Sequence, residues 1–343
     1  MPSPSFRRAG VAHAEAMFAA ALLTLVAVLA VSAISTNAAA QGNTQGATST
    51  AAQASADASP LAQTEIAPGV HVHTGLVEDW LPSNGGDVAN LGFIVGSRCV
   101  AVIDTGGTPE IGRRWRAAIE RATKLPVCYV FNTHAHPDHV LGNAAFARPG
   151  ARFVAAAKFD AAIAAREPYY RRALERDFGI VMPRDAVIHP TIAVGDTQEF
   201  DLGDRVIVAR AWPTAHTDND LTVYDRNTRT LFASDLLFVQ HMPVVDGKLV
   251  GWLRALPELA RIDAALIVPG HGPTTRGGPD AWRAEQEYLE SLQRETRAAI
   301  KSGRTLSQAV DSVSLEAATR WQLADRYHRR NVTAAYAELE WED

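Results

Sequence analysis

The sequence predicts an α/β fold, and three observations carry that prediction. Two apolar runs, Cys99–Ile103 and Leu125–Phe131, flank a stretch with helical spacing, Pro109–Thr123, in which Ile111, Trp115, Ile119 and Ala122 recur near helical spacing. Strand, helix, strand implies a parallel pair joined by a crossover. Paired strand-like runs occur on both sides of the chain's middle, which suggests an internal structural duplication. Finally, histidines and aspartates cluster where apolar runs give way to loops, and in open α/β architectures that edge is where chemistry collects.

The chain has 343 residues, and its first part separates from the rest. Arg7 and Arg8 precede the apolar run Met17–Ile34, and Ala38, Ala39 and Ala40 follow it. A charged start, an apolar middle and a small-residue exit predict a secretory signal peptide over residues 1–40. Cleavage there gives a periplasmic or secreted protein; retention of the apolar run gives a membrane anchor. Residues 41–62 are rich in Ala, Ser, Thr, Gly and Gln. Such a segment cannot bury enough surface to offset its ordering entropy, so it is predicted as a disordered linker. Residues 63–343 then form the domain, about 280 residues, enough for one large core or two packed halves.

The net charge is −5, and removing Arg7, Arg8 and Glu15 with the first 40 residues leaves −6. No basic stripe with interleaved aromatics is present, so nucleic acid is excluded as a substrate. The two cysteines, Cys99 and Cys128, lack metal-site spacing and lie in apolar runs. They read first as buried thiols, with a disulfide open if their strands are neighbours in an oxidising compartment.

The remaining elements follow in order. Val70–Thr74 alternates as a strand with His71 and His73 on one side, read as support for a sheet edge. Glu78–Asn90 is a loop with Trp80 at its tip. Leu91–Val95 and Cys99–Ile103 form a hairpin that ends at Asp104-Thr105-Gly106-Gly107. Ala151–Ala155 is a strand and Lys158–Phe178 a helix. Thr191–Phe200, Val206–Ala211, Leu221–Tyr224 and Thr230–Ala233 are strands, Leu253–Ile262 a helix, and Ala264–Val268 a buried strand. Helices over Asp280–Ala299, after a Thr305 cap, and over Asn331–Leu339 are expected to cover one sheet face.

The chemistry centres on His134-Ala135-His136-Pro137-Asp138-His139, which follows the strand ending at Phe131. Imidazole nitrogens with a carboxylate oxygen are a donor mixture that zinc accepts. His216, Asp235 and His271 each follow a further apolar run.

This set resembles the metallo-β-lactamase superfamily of metallohydrolases over about residues 66–275. The resemblance implies a four-layer αββα sandwich with a dinuclear Zn2+ site, two ions per chain. It implies that His134, His136 and His216 hold one metal, that Asp138, His139 and His271 hold the other, and that Asp235 bridges them. Asp104 matches the family's strand-end aspartate and would support the site. A bridging carboxylate is usual in glyoxalase II-like hydrolases and unusual in true zinc β-lactamases. The variant segment Ala215-His216-Thr217-Asp218-Asn219-Asp220, the stretch His241–Gly247, the export signal and Asn331–Tyr336 resemble most closely the quinoprotein relay system zinc metallohydrolases. That narrower likeness implies a periplasmic quinoprotein dehydrogenase system as partner, beside a small-molecule substrate.

Two divalent ions sharing a hydroxide can attack a carbonyl with no serine or cysteine nucleophile. The predicted function is zinc-dependent hydrolysis of a thioester, lactone or related ester or amide, with β-lactam hydrolysis and a non-catalytic metal-binding accessory role as the alternatives. Asp138 is expected both to ligate and to receive a proton. Asp104, Asp218 and Asp220 are expected to orient imidazoles, and Trp80, Asn84, Tyr170 and His241 to line the pocket.

Overall fold

Residues 59–342 are described by the computed structural model. The signal peptide, read over 1–40, and most of the linker, read over 41–62, lie outside the described residues. Leu61, at the end of the stretch read as linker, is buried against the core.

Burial on both faces of the central strands determines the architecture. In β4 (Val100–Ile103), Val100 and Val102 pack outward against α1 (Pro109–Ala122), while Ala101 and Ile103 face the second sheet. This is the two-residue period of a strand with apolar partners on each side. The first sheet has the order β1-β2-β3-β4-β5-β6-β7, and the second the order β13-β12-β11-β10-β9-β8. The first comprises β1 (Thr64–Ala67), β2 (Val70–His73), β3 (Leu91–Val95), β4, β5 (Val127–Phe131), β6 (Arg152–Ala156) and β7 (Ile192–Val194). The second comprises β8 (Thr197–Asp201), β9 (Val206–Ala211), β10 (Leu221–Asp225), β11 (Thr230–Phe238), β12 (Leu266–His271) and β13 (Thr275–Arg276).

Ile94, Phe131 and Val154 of one sheet meet Phe200, Ile207, Val223 and Phe232 of the other in a shared core. The outer face of the second sheet is covered by α3 (Leu249–Leu259), α4 (Asp280–Lys301), α5 (Leu306–Val310) and α6 (Ala324–Leu339). The four layers are therefore helix, sheet, sheet, helix, as expected. A long helix α2 (Phe159–Phe178) connects β6 to β7 and ends at Gly179, whose φ of 66° suits a left-handed cap.

The expected duplication is visible in the pairing. β3 and β4 are antiparallel, and β4 runs parallel to β5 across α1. In the other half β10 and β11 are antiparallel, and β11 runs parallel to β12 across α3. Buried Arg205 and Asp225 join in a bidentate pair, and Arg205 also donates to Pro68 O and Val95 O of the opposite sheet.

Three sequence readings are corrected. Thr191–Phe200 is not one strand: the chain turns at Gly195-Asp196, so β7 closes the first sheet and β8 opens the second. The strand read as ending at Ala233 continues to Phe238, so Asp235 lies inside β11 and not at its end. The last helix begins at Ala324 and not at Asn331.

Cys99 and Cys128 are joined in a disulfide, with Cα atoms 5.8 Å apart and 29 residues of separation. The neighbouring parallel strands β4 and β5 bring them together, which settles the open reading in favour of the pair. Closing a loop of that length constrains the unfolded chain by about 3–4 kcal/mol. The double variant Cys99→Ala/Cys128→Ala is expected to lose about that much in urea unfolding, and a loss below about 1 kcal/mol would refute this contribution.

Candidate metal centre

The site forms where the C-terminal ends of β5, β9, β11 and β12 face one gap. His134 and His136 occupy the loop after β5. Asp138 and His139 lie on the single helical turn Pro137–Val140, started by proline at its first position. His216 lies in the turn after β9, Asp235 within β11, and His271 is the last residue of β12. Gly270 lets the strands approach, since a Cβ there would come within 1.8 Å of Asp235 Oδ1.

Two groups of donor atoms converge: His134, His136, His216 and Asp235, and then Asp138, His139 and His271, with atoms in each group within 4.8 Å of one another. All seven sequence-predicted ligands are therefore brought together. The Asp235 carboxylate lies between the groups, 3.4 Å from His216 Nε2, 3.7 Å from His134 Nε2, 3.1 Å from His139 Nε2 and 3.5 Å from His271 Nε2. His271 Nε2 is also 3.3 Å from Asp138 Oδ2.

Hydrogen bonds behind the rings fix which nitrogen faces inward. His216 Nδ1 donates to Val244 O at 2.7 Å and His271 Nδ1 to Val88 O at 3.0 Å. His139 Nδ1 donates to Asp104 Oδ2 at 2.8 Å. Asp104 also accepts Thr133 N–H and the Thr133 hydroxyl, which ties the His139 ring to the start of the histidine loop. With the Thr133 proton given to Asp104, Thr133 Oγ1 accepts from His134 Nδ1 at 3.2 Å and from Ser234 Oγ at 2.7 Å. Asp104 and Ser234 hold left-handed φ values of 57° and 49°, one at the equivalent place in each half, and both meet at Thr133.

His136 is oriented the other way. Its Nε2 donates to Asp246 Oδ2 at 3.0 Å, and Asp246 is held in turn by Arg166 at 3.2 Å. Its Nδ1 thus faces His216 Nε2 at 3.1 Å, two lone pairs with no proton between them. His134 Nε2, His139 Nε2 and Asp235 Oδ1 are buried without a hydrogen-bond partner among the described residues. Converging lone pairs and orphaned buried donors of this kind are satisfied by a cation, so the residues fit a metal. Burial alone would depress His139 and His271. The carboxylates around them outweigh it and hold His139 well above its ordinary value and His271 up at about 9. Protons there compete with a metal for the same nitrogens.

A family model described as "Metallo-beta-lactamase superfamily" matches residues 84–271. The chain belongs to the metallo-β-lactamase superfamily. Among solved structures, a metallo-beta-lactamase from Pontibacter korlensis is 21% identical at a TM-score of 0.55, covering 67% of this chain and 99% of that one. A stereoselective inverting sec-alkylsulfatase from Pseudomonas sp. is 16% identical at a TM-score of 0.60, covering 82% of this chain and 50% of that one. This chain spans about half the length of the sulfatase, and both likenesses are of fold.

In this superfamily member the centre opens into a cavity of about 920 Å³. Trp80, Tyr170 and His241 are among the residues that line it. Trp80 Nε1 donates to Gly107 O and Tyr170 OH to Ala135 O, so both walls are anchored. Asn84 does not line the cavity; its side chain accepts Leu81 and Gly86 N–H and closes its own turn. Asp218 is exposed and pairs only with Asn219, so it orients no imidazole. Asp220 shapes the His216 turn instead, accepting Thr217 N–H and hydroxyl, and burial raises its carboxyl to about 8.

Three contributors were missed by sequence reasoning. Asp246 orients His136, and Asn219 Oδ1 accepts Ala135 N–H within the histidine loop. Tyr327 of α6 walls the cavity and donates to Asp79 at 2.7 Å. Asp246 lies in the stretch already singled out from His241 to Gly247, which was its signal.

Behind β11, Glu285 accepts Phe238 N–H at 3.0 Å through Oε1, while Oε2 has no partner among the described residues. Burial raises this carboxyl well above the usual range. A group raised on folding contributes stability fully below its unfolded pKa, and loses it as pH climbs toward the folded value. Glu285→Gln is therefore expected to flatten the fall in stability between about pH 5 and pH 8. Urea melts at the two pH values check this, and an unaltered slope refutes it.

Proposed function

We propose that the protein is a zinc-dependent hydrolase of a thioester, lactone or related ester or amide, with two ions per chain. One observation carries the reading: six donors from both halves converge around a seventh, the shared carboxylate of Asp235, with their lone pairs inward. His134, His136 and His216 would hold one ion, Asp138, His139 and His271 the other, and Asp235 both. A bound pair supplies Lewis acidity toward a carbonyl and makes water nucleophilic near neutral pH.

The chain's own groups do the rest. Asp104, Val244 O and Val88 O lock imidazole tautomers, and Asp246 presents His136 through Nδ1. Asp138 is partly open to the cavity and can receive a proton during turnover. Trp80, Tyr170 and Tyr327 narrow the approach to the centre.

The narrower reading, a periplasmic quinoprotein relay metallohydrolase working beside a dehydrogenase, has support of its own. The two stretches carrying that likeness meet: Asn331 donates to Pro243 O and accepts Val245 N–H. The disulfide suits an oxidising compartment, and among the described residues no helix is long and apolar enough to cross a membrane.

The deciding measurement is metal analysis of the chain from residue 41 onward, with zinc, iron and manganese counted per chain. About two zinc ions with turnover of a thioester, lactone or β-lactam panel is the expected result. One iron per chain sinks the dizinc reading, and two zinc ions without turnover turn it toward the accessory role.

A further inference from the structure

The chain reverses just beyond β11. Gln240 takes a φ of 68°, a left-handed value uncommon outside glycine, and returns His241 to the metal centre. The backbone there is pinned to the segment before α6: Gln322 N–H donates to Gln240 O at 2.8 Å and Met242 N–H to Gln322 O at 3.0 Å. The imidazole packs among Phe238, His271 and Tyr327, with ring centroids 5.4, 4.7 and 5.2 Å away. Its position is thus fixed before any ligand arrives.

His241 is 3% exposed and lines the cavity over the centre. Its Nδ1 lies 2.7 Å from Met242 O. A carbonyl only accepts, so Nδ1 carries the proton and Nε2 keeps its lone pair. Nε2 has no hydrogen-bond partner among the described residues, and neither convergent donor group includes His241. The ring is an oriented acceptor beside the reacting centre, with nothing among the described residues to satisfy it.

We propose that His241 Nε2 is a substrate-recognition site that accepts a hydrogen bond from a neutral donor, an amide N–H or a hydroxyl, a few bonds from the scissile carbonyl. This rests on the hydrolase reading above. A substrate with the donor satisfies the cavity-facing acceptor, whereas one without it covers that lone pair and leaves it unpaired. An ammonium donor is disfavoured beside a centre built for divalent cations.

The test uses the metal-loaded full chain and two matched pairs of thiophenyl esters. N-acetylglycine and acetoxyacetate differ by N–H against oxygen, and 3-hydroxybutyrate and butyrate by one hydroxyl. Thiophenol release is expected to favour the donor-bearing member of at least one pair by about tenfold in kcat/KM. His241→Phe should bring that ratio toward one by raising KM of the donor-bearing ester, with metal content retained. His241→Gln keeps an acceptor oxygen and should retain part of the preference. No preference in either pair, or a preference that survives His241→Phe, overturns the proposal. Should the parent hydrolyse none of the four, the thioesterase form of the hydrolase reading fails separately. Isothermal titration with N-acetylglycine and acetoxyacetate then decides the acceptor role. Binding of N-acetylglycine about tenfold tighter than acetoxyacetate, lost in His241→Phe, supports it; equal binding overturns it.

Discussion

Replacing Asp235 by asparagine is expected to lower metal content and to reduce hydrolysis by about 10³-fold or more. The carboxylate is within 3.7 Å of four histidine Nε2 atoms and is buried among them. Asparagine keeps the volume, removes the negative charge and puts an amide N–H₂ where only acceptors suit a cation. Both donor groups should lose affinity, because both lie against this one side chain. Metal analysis and ester turnover on the same preparation check the expectation. Two ions per chain with undiminished turnover would show that Asp235 does not bridge. His136→Ala, which leaves the second group intact, should reduce metal content and rate together but less completely.

Stripping the metal should cost the fold more than any single surface change. Ligand that binds only the native state adds about 4 kcal/mol when present at about 1,000 times its dissociation constant. For a domain of this size each kcal/mol is worth about 2–4 °C. A strong chelator is therefore expected to lower Tm by roughly 10 °C, and re-added zinc to restore it. The loss should shrink as pH falls below about 9, because protons on His139 and His271 compete with the metal and leave less stabilisation for the chelator to remove. A chelator-induced change of less than about 1 °C would mean that the convergent lone pairs are accommodated without a cation.

The seven donors were legible in the sequence because ligand chemistry demands particular residue types, and strand ends announce where six of them go; Asp235 was legible by type, but lies inside β11. Most elements were legible through periodicity, and the β3–β4 hairpin through its Gly96-Ser97-Arg98 turn. What escaped was set by distant pairing. Nothing local marks Gly195-Asp196 as the crossing between sheets, since each flanking strand is defined by its partner. The extension of β11 past Ala233 depends on Ser234 adopting a left-handed φ beside β12, a tertiary effect. Asp246 reaches His136 across 110 residues, and no short-range pattern encodes that contact. Asp218 and Asp220 are equivalent by residue type, and burial decides between them: Asp220 is buried and shapes the turn, whereas Asp218 is exposed.

The duplicated strand arrangement has a consequence for how the site comes into being. His134, His136, Asp138 and His139 come from the first half, and His216, Asp235 and His271 from the second. Each donor group mixes residues from both halves, so neither half holds a complete set. During synthesis a nascent chain shorter than 271 residues lacks a member of one group. Metal capture would therefore be a late event, coupled to docking of the halves. A metal held there would act as a rivet across the pseudo-symmetric seam, so that loading would report completed assembly as well as readiness for chemistry.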